Sequence, residues 1–390
     1  MKLRRNLSKN AVVSIALMLF SAHAGGGFAT GNQANTYFVG LGFWGIFSAI
    51  LAMVILCGML REAMIMKNSR NLSSYKEVFE NLYHPFDKLA YAFEAFYLIM
   101  VVMVIATTIS SAASALSDSF GFSYKISLVL ISALILLMVM FGANLVRKFG
   151  AVMGILILVT SLSIYFYGSF SVENPLGRLT NEFSQNGFLH FPKAIENGFV
   201  YAGFQCVQIP AMIACCGVLK NKEEVTRSMN ISSLINSLAL ALSVFMLFVW
   251  KDYFMGIENG ATLPTLTVTK ALEKNWISVF YLVSLILCLI SSAVTITYGM
   301  VARFEENEKL KKIKNIKVRR LLLSLFIVLG SMLISSIGLT NIIKYGYGYC
   351  GYLAIFLIII PFLTIGAYKN YKYMQKEENK VGENIQISLD

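Results

Sequence analysis

Apolar positions along this chain neither alternate with polar ones at a strand period nor mark a single helical stripe; they run together in blocks of about twenty residues. The blocks lie near residues 10–31, 38–60, 88–115, 125–146, 149–170, 194–219, 229–250, 275–302, 320–340 and 345–368, joined by short polar stretches. A hydrocarbon core about 30 Å thick takes roughly 20 apolar residues in a helix to cross. In lipid a helix also satisfies its own backbone polar groups. The pattern therefore predicts an all-α integral membrane protein of ten transmembrane helices, a single domain over residues 9–370 followed by a polar tail over 371–390.

Composition agrees: 57% of the residues are hydrophobic and 14% charged, against about 45–50% and 25% in soluble domains. Of the 33 Lys and Arg, 26 fall in the termini and in alternate connectors, all on one side if the N-terminus is inside. That asymmetry predicts a multi-pass protein of a bacterial-type plasma (inner) membrane with both termini cytoplasmic. The net charge of +12 then belongs to loops beside lipid head groups. The basic run 309–320 is read as such a connector, and no nucleic-acid partner is expected.

The first 24 residues have the outline of a secretory signal, with a basic start, an apolar stretch and Ala22-His23-Ala24. Residues 25–33 read as a continuation of the same helix, so a retained first helix is expected. The six cysteines, Cys57, Cys206, Cys215, Cys216, Cys288 and Cys350, lie in or beside apolar blocks without zinc or disulfide spacing, and read mainly as small buried hydrophobes. A soft-metal path through Cys206, Cys215 and His23 is the rival reading. No His-x-x-x-His pair, paired aspartates or Ser–His couple lies at depth, so no enzyme is expected.

Residues 22–33 read Ala-His-Ala-Gly-Gly-Gly-Phe-Ala-Thr-Gly-Asn-Gln. Each glycine costs a helix up to about 1 kcal/mol relative to alanine, and non-helical backbone at membrane depth survives only against protein or a water-lined cavity. A discontinuity is expected here, with free carbonyls ending one half-helix and free amides starting the next. Such ends suit a zwitterion, or an anion and a cation together. Close helix packing through small residues is the competing account.

The sixth block combines Gly198, Gly203, Gln205, Gln208 and Pro210, which predicts a second interrupted helix. It opens the second set of five as the first break opens the first set. That is the layout of two inverted repeats, about 10–170 and 194–368, with a site at their interface. In the eighth block, Cys288, Ser291 and Ser292 place hydroxyls and a carbonyl at spacing that suits a hard cation, although hydroxyls in membrane helices also bond back to their own backbone. Among ionisable groups at depth are Glu94 and His23, and this scarcity favours sodium coupling or uncoupled transport over proton coupling.

Residues 25–33, Gly-Gly-Gly-Phe-Ala-Thr-Gly-Asn-Gln, resemble the Gly-Ala-Gly-Phe-Ala-Ser-Gly-Gln-Glu signature of the YkvI-like membrane proteins, distant members of the amino acid, polyamine and organocation (APC) transporter superfamily. Leu263-Pro264-Thr265-Leu266, Ser291-Ser292-Ala293-Val294 and Tyr298-Gly299 are similar to the same family's outer loop and eighth helix. The resemblance implies a LeuT-like fold with discontinuous first and sixth helices, alternating access, and a sodium site between the first and eighth. Carried over by position, Na+ would meet backbone oxygens of Ser21, Ala24 and Cys288 and hydroxyls of Ser291 and Ser292. Solute contacts would come from Gly25, Gly26, Gly27, Phe28, Phe204 and Gln205, with His23, Thr30 and Gln208 beside them and Phe204 as a lid. Asn32-Gln33 replaces the signature's Gln-Glu, and His23 stands where small or β-branched residues are usual. The expected function is secondary active transport of a small polar solute, an amino acid or related zwitterion or anion, coupled to Na+ and needing no other cofactor. A non-transporting solute sensor using the same pocket is the alternative.

Overall fold

The computed structural model describes residues 2–140, 143–304, 310 and 312–387; part of the basic run 309–320 and the last three residues of the tail lie outside them. The first helix comes in two parts, α1a (Lys2–His23) and α1b (Asn32–Tyr37). It is followed by α2 (Phe43–Ser69), α3 (Ala90–Phe120), α4 (Tyr124–Met140) and α5 (Ala143–Phe170). The second half holds α6a (Phe191–Gln205) and α6b (Ile209–Cys215), α7 (Lys222–Val249), α8 (Asn275–Phe304), α9 (Ile316–Ser335) and α10 (Leu339–Asn379).

Among the described residues, seven of these spans pass alone for length and apolarity; Asn10–His23, Tyr124–Val139 and Ile155–Phe170 supply the other three. The second span outruns its apolar block by nine residues, to Ser69. Its helix continues past Arg61 and Glu62 because both charges are met locally: Arg61 pairs with Glu62, whose carboxylate also accepts from the Asn370 amide at 2.9 Å. Two helix starts outside the apolar blocks show how polar side chains cap them. Ser74 and Glu77 cap the connector helix Tyr75–Tyr83 reciprocally, and Asn221 with Glu224 does the same for α7.

Packing follows a twofold relation between chain halves: α2 lies on α6 as α7 lies on α1, a shift of five helices. The helices also sort into two groups. α1, α2, α6 and α7 pack on one another, α3, α4, α8 and α9 pack on one another, and α5 and α10 touch both. The segment between α1a and α1b meets α3, α5 and α8, so it lies on the seam between the groups. The Asn10–His23 stretch is docked through the hydroxyls of Ser228 and Ser232 on α7, which donate to the carbonyls of Val12 and Ala16 at 3.0 and 3.1 Å.

Candidate functional site

Helix 1 loses its α-type hydrogen bonding where the glycines cluster. Ala24–Phe28 forms a widened π turn, with the Ala29 amide donating five residues back to the Ala24 carbonyl at 3.2 Å. Gly27 (φ 110°) and Gly31 (φ 82°) then take backbone conformations that L-residues with a side chain rarely adopt. Thr30 splices the gap: its hydroxyl donates to the Gly27 carbonyl at 2.6 Å and accepts from the Asn32 amide at 3.1 Å, capping α1b. Thr30 is therefore spent on the backbone of the break itself.

Gly25 answers a different need. A Cβ built on it would land on the Oγ and Cβ of Ser292, so α1 and α8 meet here with no room for a side chain. Cys288, one turn earlier on α8, is buried and its thiol lies against the Ser292 hydroxyl. Ala24 is fully buried, while Ser21 and Ser292 are half-buried. The contact thus joins Gly25 to Ser292, with Ala24 next to the first in the chain and Cys288 beside the second. The Ser291 side chain lies outside the described residues, as does any side-chain detail at Gly26.

His23 ends α1a in full burial, stacked on Phe28 at 4.8 Å between ring centres. Its Nδ1 lies 2.9 Å from the Asn236 Oδ1 of α7, and its Nε2 lies 2.8 Å from the Tyr201 hydroxyl of α6a. Tyr201 donates to Gln33 Oε1 at 2.8 Å, Gln205 reaches the same oxygen at 3.4 Å, and Gln208 donates to Gln205 Oε1 at 2.6 Å. One buried chain of hydrogen bonds thereby links both halves of helix 1 to α6 and α7. The Gln208 Oε1 and the Ser111 hydroxyl of α3 are buried without a partner. Tyr201, Gln33 and Asn236 belong to this chain at the candidate site and were missed by sequence reasoning. Asn236 carried a signal, an amide in an apolar block one turn after Ser232, whose carbonyl and hydroxyl it bonds.

Helix 6 is interrupted more gently than helix 1. A 3₁₀ turn, Cys206–Gln208, separates α6a from α6b with every residue still in the right-handed helical region. The two glycines expected to unwind it lie earlier and serve packing: Gly198 against the Ser48 carbonyl and Leu51 of α2, and Gly203 against the Gly351 carbonyl of α10. Phe204 is buried among tyrosines. It packs against Tyr37, Tyr201 and Tyr347 at 4.7–5.3 Å, in an aromatic cluster joining α1b, α6a and α10.

For the soft-metal reading, no three His, Cys, Asp or Glu side chains gather to hold an ion among the described residues. Cys206 bonds back to the Ala202 carbonyl, and His23 is committed to Asn236 and Tyr201.

On the face away from the termini the break is covered. The Asn32 amide lies 3.1 Å from the Ala261 carbonyl, 3.0 Å from the Thr262 carbonyl and 2.9 Å from the Thr340 hydroxyl. The Thr265 amide, at the start of the outer-loop helix Pro264–Ala271, donates to the Thr30 carbonyl at 3.2 Å. From α8, the Tyr281 hydroxyl donates to the Ala29 carbonyl.

This architecture is shared with solved membrane proteins. The chain is similar to a Na+-coupled sialic acid symporter in a substrate-bound outward-open state, with TM-score 0.63, 14% identity, and coverage of 90% of this chain and 78% of that one. It is similar to MhsT in complex with L-phenylalanine, with TM-score 0.62, 14% identity, and coverage of 93% and 98%. It is also similar to the manganese transporter of Eremococcus coleocola, with TM-score 0.60, 15% identity, and coverage of 92% and 79%. At these identities the likeness is one of fold: ten helices in two inverted repeats of the LeuT type. No protein-family model matches the sequence, and no curated protein does.

Proposed function

We propose that this chain is a secondary transporter that moves a small polar solute, an amino acid or related zwitterion or anion, together with Na+. It acts in a bacterial-type plasma membrane with both termini in the cytoplasm. The observation that carries the reading is the loss of helical hydrogen bonding between Ala24 and Gly31 on the seam between two helix groups, with Ser292 resting directly on Gly25. Peptide groups that leave the α-helical ladder at the seam can turn to the charged ends of a solute without a buried side-chain charge. The resemblance of residues 25–33 to the YkvI-like signature supports the same reading, and so do neighbours that include a Na+-coupled symporter and a protein holding L-phenylalanine.

In this reading the solute lies against the backbone of residues 25–28, with Gln205 and Gln208 offering amide groups from helix 6; the free Gln208 Oε1 suits an ammonium or amide donor. His23 and Thr30 shape the site by holding the two ends of the break, and Phe204 seals it through the aromatic cluster rather than as a lid on the solute. The residues fit a sodium ion: carbonyls of Ser21, Ala24 and Cys288 and the hydroxyls of Ser291 and Ser292 are neutral oxygens, as a hard monovalent cation prefers. The two helix groups rock about the seam to expose the solute to each face in turn.

Purified protein in proteoliposomes tests this. A panel of labelled amino acids and related anions should include one that accumulates saturably under an inward Na+ gradient and not under K+, and Ser292→Ala should lower Na+-driven uptake at least tenfold. Specific binding of a solute without accumulation would favour a sensor over a transporter. Accumulation indifferent to Na+ and to Ser292→Ala would remove the ion-site assignment.

A further inference from the structure

Beside the Phe28 ring lies a cluster of hydroxyls that the solute reading leaves unused. Tyr165 of α5 meets Phe28 edge-on at 6.0 Å between centres, and its hydroxyl faces those of Ser161 on α5, Ser243 on α7 and Thr265 on the outer-loop helix. All four side chains are at most 1% exposed. Three of them gather around the Tyr165 hydroxyl, yet none of the four oxygens meets a protein partner at full hydrogen-bond distance and angle. Elsewhere on α5, the hydroxyls of Thr160, Ser163 and Ser169 bond back to carbonyls one turn earlier, as hydroxyls in membrane helices usually do. Ser161 and Ser243 forgo that option. Buried hydroxyls are rarely left unpaired, so three that gather around a fourth without completing bonds to it imply a shared guest.

We propose that Ser161, Tyr165, Ser243 and Thr265 form a binding site for ordered water, bridging the outer-loop helix to α5 and α7. The donor set decides the chemistry. Four neutral hydroxyls can each donate once and accept, matching the two donors and two acceptors of water. A cation would gain only hydroxyl dipoles here, one of them a phenol, with no carboxylate in the set. Thr265 ties the site to the break, since its amide bonds the Thr30 carbonyl and its Oγ1 occupies the space that a Cβ on Gly31 would need. Tyr281, whose hydroxyl donates to the Ala29 carbonyl, closes the site from α8 beside Thr265. The outer loop is thus joined to α5 and α7 through a removable layer of water, a joint that parts without breaking direct side-chain bonds. The inference depends on the hydroxyl geometry and stands whether or not the protein transports a solute.

An experimental map near 2 Å resolution, from protein exchanged into Rb+ or Tl+, tests it directly. Density for water within about 3 Å of Tyr165 Oη and Thr265 Oγ1, without anomalous signal, is the expected result. Anomalous density at the site, or hydroxyls bonded directly to one another, overturns the proposal. Thermal unfolding in detergent gives a second arm. Tyr165→Phe and Ser243→Ala should each lower Tm by about 2 °C or more, because each strips a bridging water of a partner. The quadruple variant S161A/Y165F/S243A/T265V, which removes hosts and guest together, should recover most of that loss. Losses that simply add across the four sites also overturn it, and if the quadruple variant fails to fold, the map decides.

Discussion

Gly25 and Gly27 are both glycines for reasons that differ and can be separated. At Gly27 the constraint is conformational: φ of 110° is closed to ordinary residues, and strain of this kind costs about 1–3 kcal/mol. At Gly25 it is spatial, since the Cβ of any other residue would meet both Cβ and Oγ of Ser292, which no rotamer change can clear. Gly25→Ala should therefore push α1 from α8 and abolish uptake, and the added change Ser292→Gly should restore packing without restoring sodium dependence. The pair is read by Tm in detergent alongside uptake. A Gly25→Ala protein with unchanged Tm and uptake would show that the two helices do not meet at this point. Gly27→Ala should gain nothing from Ser292→Gly. His23 illustrates the same scale, because both its ring nitrogens are engaged by protein groups, which makes it a brace for the break in this conformation.

At the scale of elements, α1b is held to the outer loop by one side chain. Asn32 presents its amide to the carbonyls of Ala261 and Thr262 and to the Thr340 hydroxyl, so two N–H groups serve three acceptors on two elements. Asn32→Ala removes bonds of about 1–2 kcal/mol in total from a loop that is also held by Lys270 on the Asp118 carbonyl and Ser278 on the Thr269 carbonyl. Hydrogen–deuterium exchange over residues 256–272 should then accelerate roughly fivefold to thirtyfold. Unchanged exchange would mean that the other contacts hold the loop down without it. Helix 6 teaches a separate lesson. Gly198 and Gly203 were expected to unwind it, yet they admit α2 and the α10 backbone to close range while the helix stays intact until Gln205. A missing Cβ gives both freedom and closeness, and a single strand of sequence carries no sign of which is used.

For the whole molecule, the site's position on the seam between two helix groups has an energetic consequence. An ion bound between α1 and α8 touches both groups and stabilises their association, so Na+ at 100 times its Kd adds about 2.7 kcal/mol to the folded state. Thermal unfolding in detergent should shift upward with Na+ but not with equimolar K+, and Ser292→Ala should erase the difference. A sodium-independent Tm in the wild-type protein would speak against an ion at the seam. The twofold relation of the halves places the two interrupted helices side by side there, which is why polar backbone at this depth is covered by protein instead of lipid.

Much of this was written in the sequence by itself. The ten spans follow from apolar blocks because crossing a bilayer is a demand on length and hydropathy that each segment meets alone. The break at residues 24–31 follows from glycine, because backbone propensity is local. The polar cluster of α8 proposed for the cation was legible as small polar groups in an apolar block. Tertiary structure alone decided which groups meet: Gly25 with Ser292, His23 with Asn236 and Tyr201, and the three hydroxyls around Tyr165. It also buried Phe204 among tyrosines and spent Thr30 on the backbone. Those partners lie as many as 267 positions apart in the chain, and they are set by the rotation and register of packed helices. Hydropathy constrains both only loosely, since lipid and protein interior are almost equally apolar to a helix face.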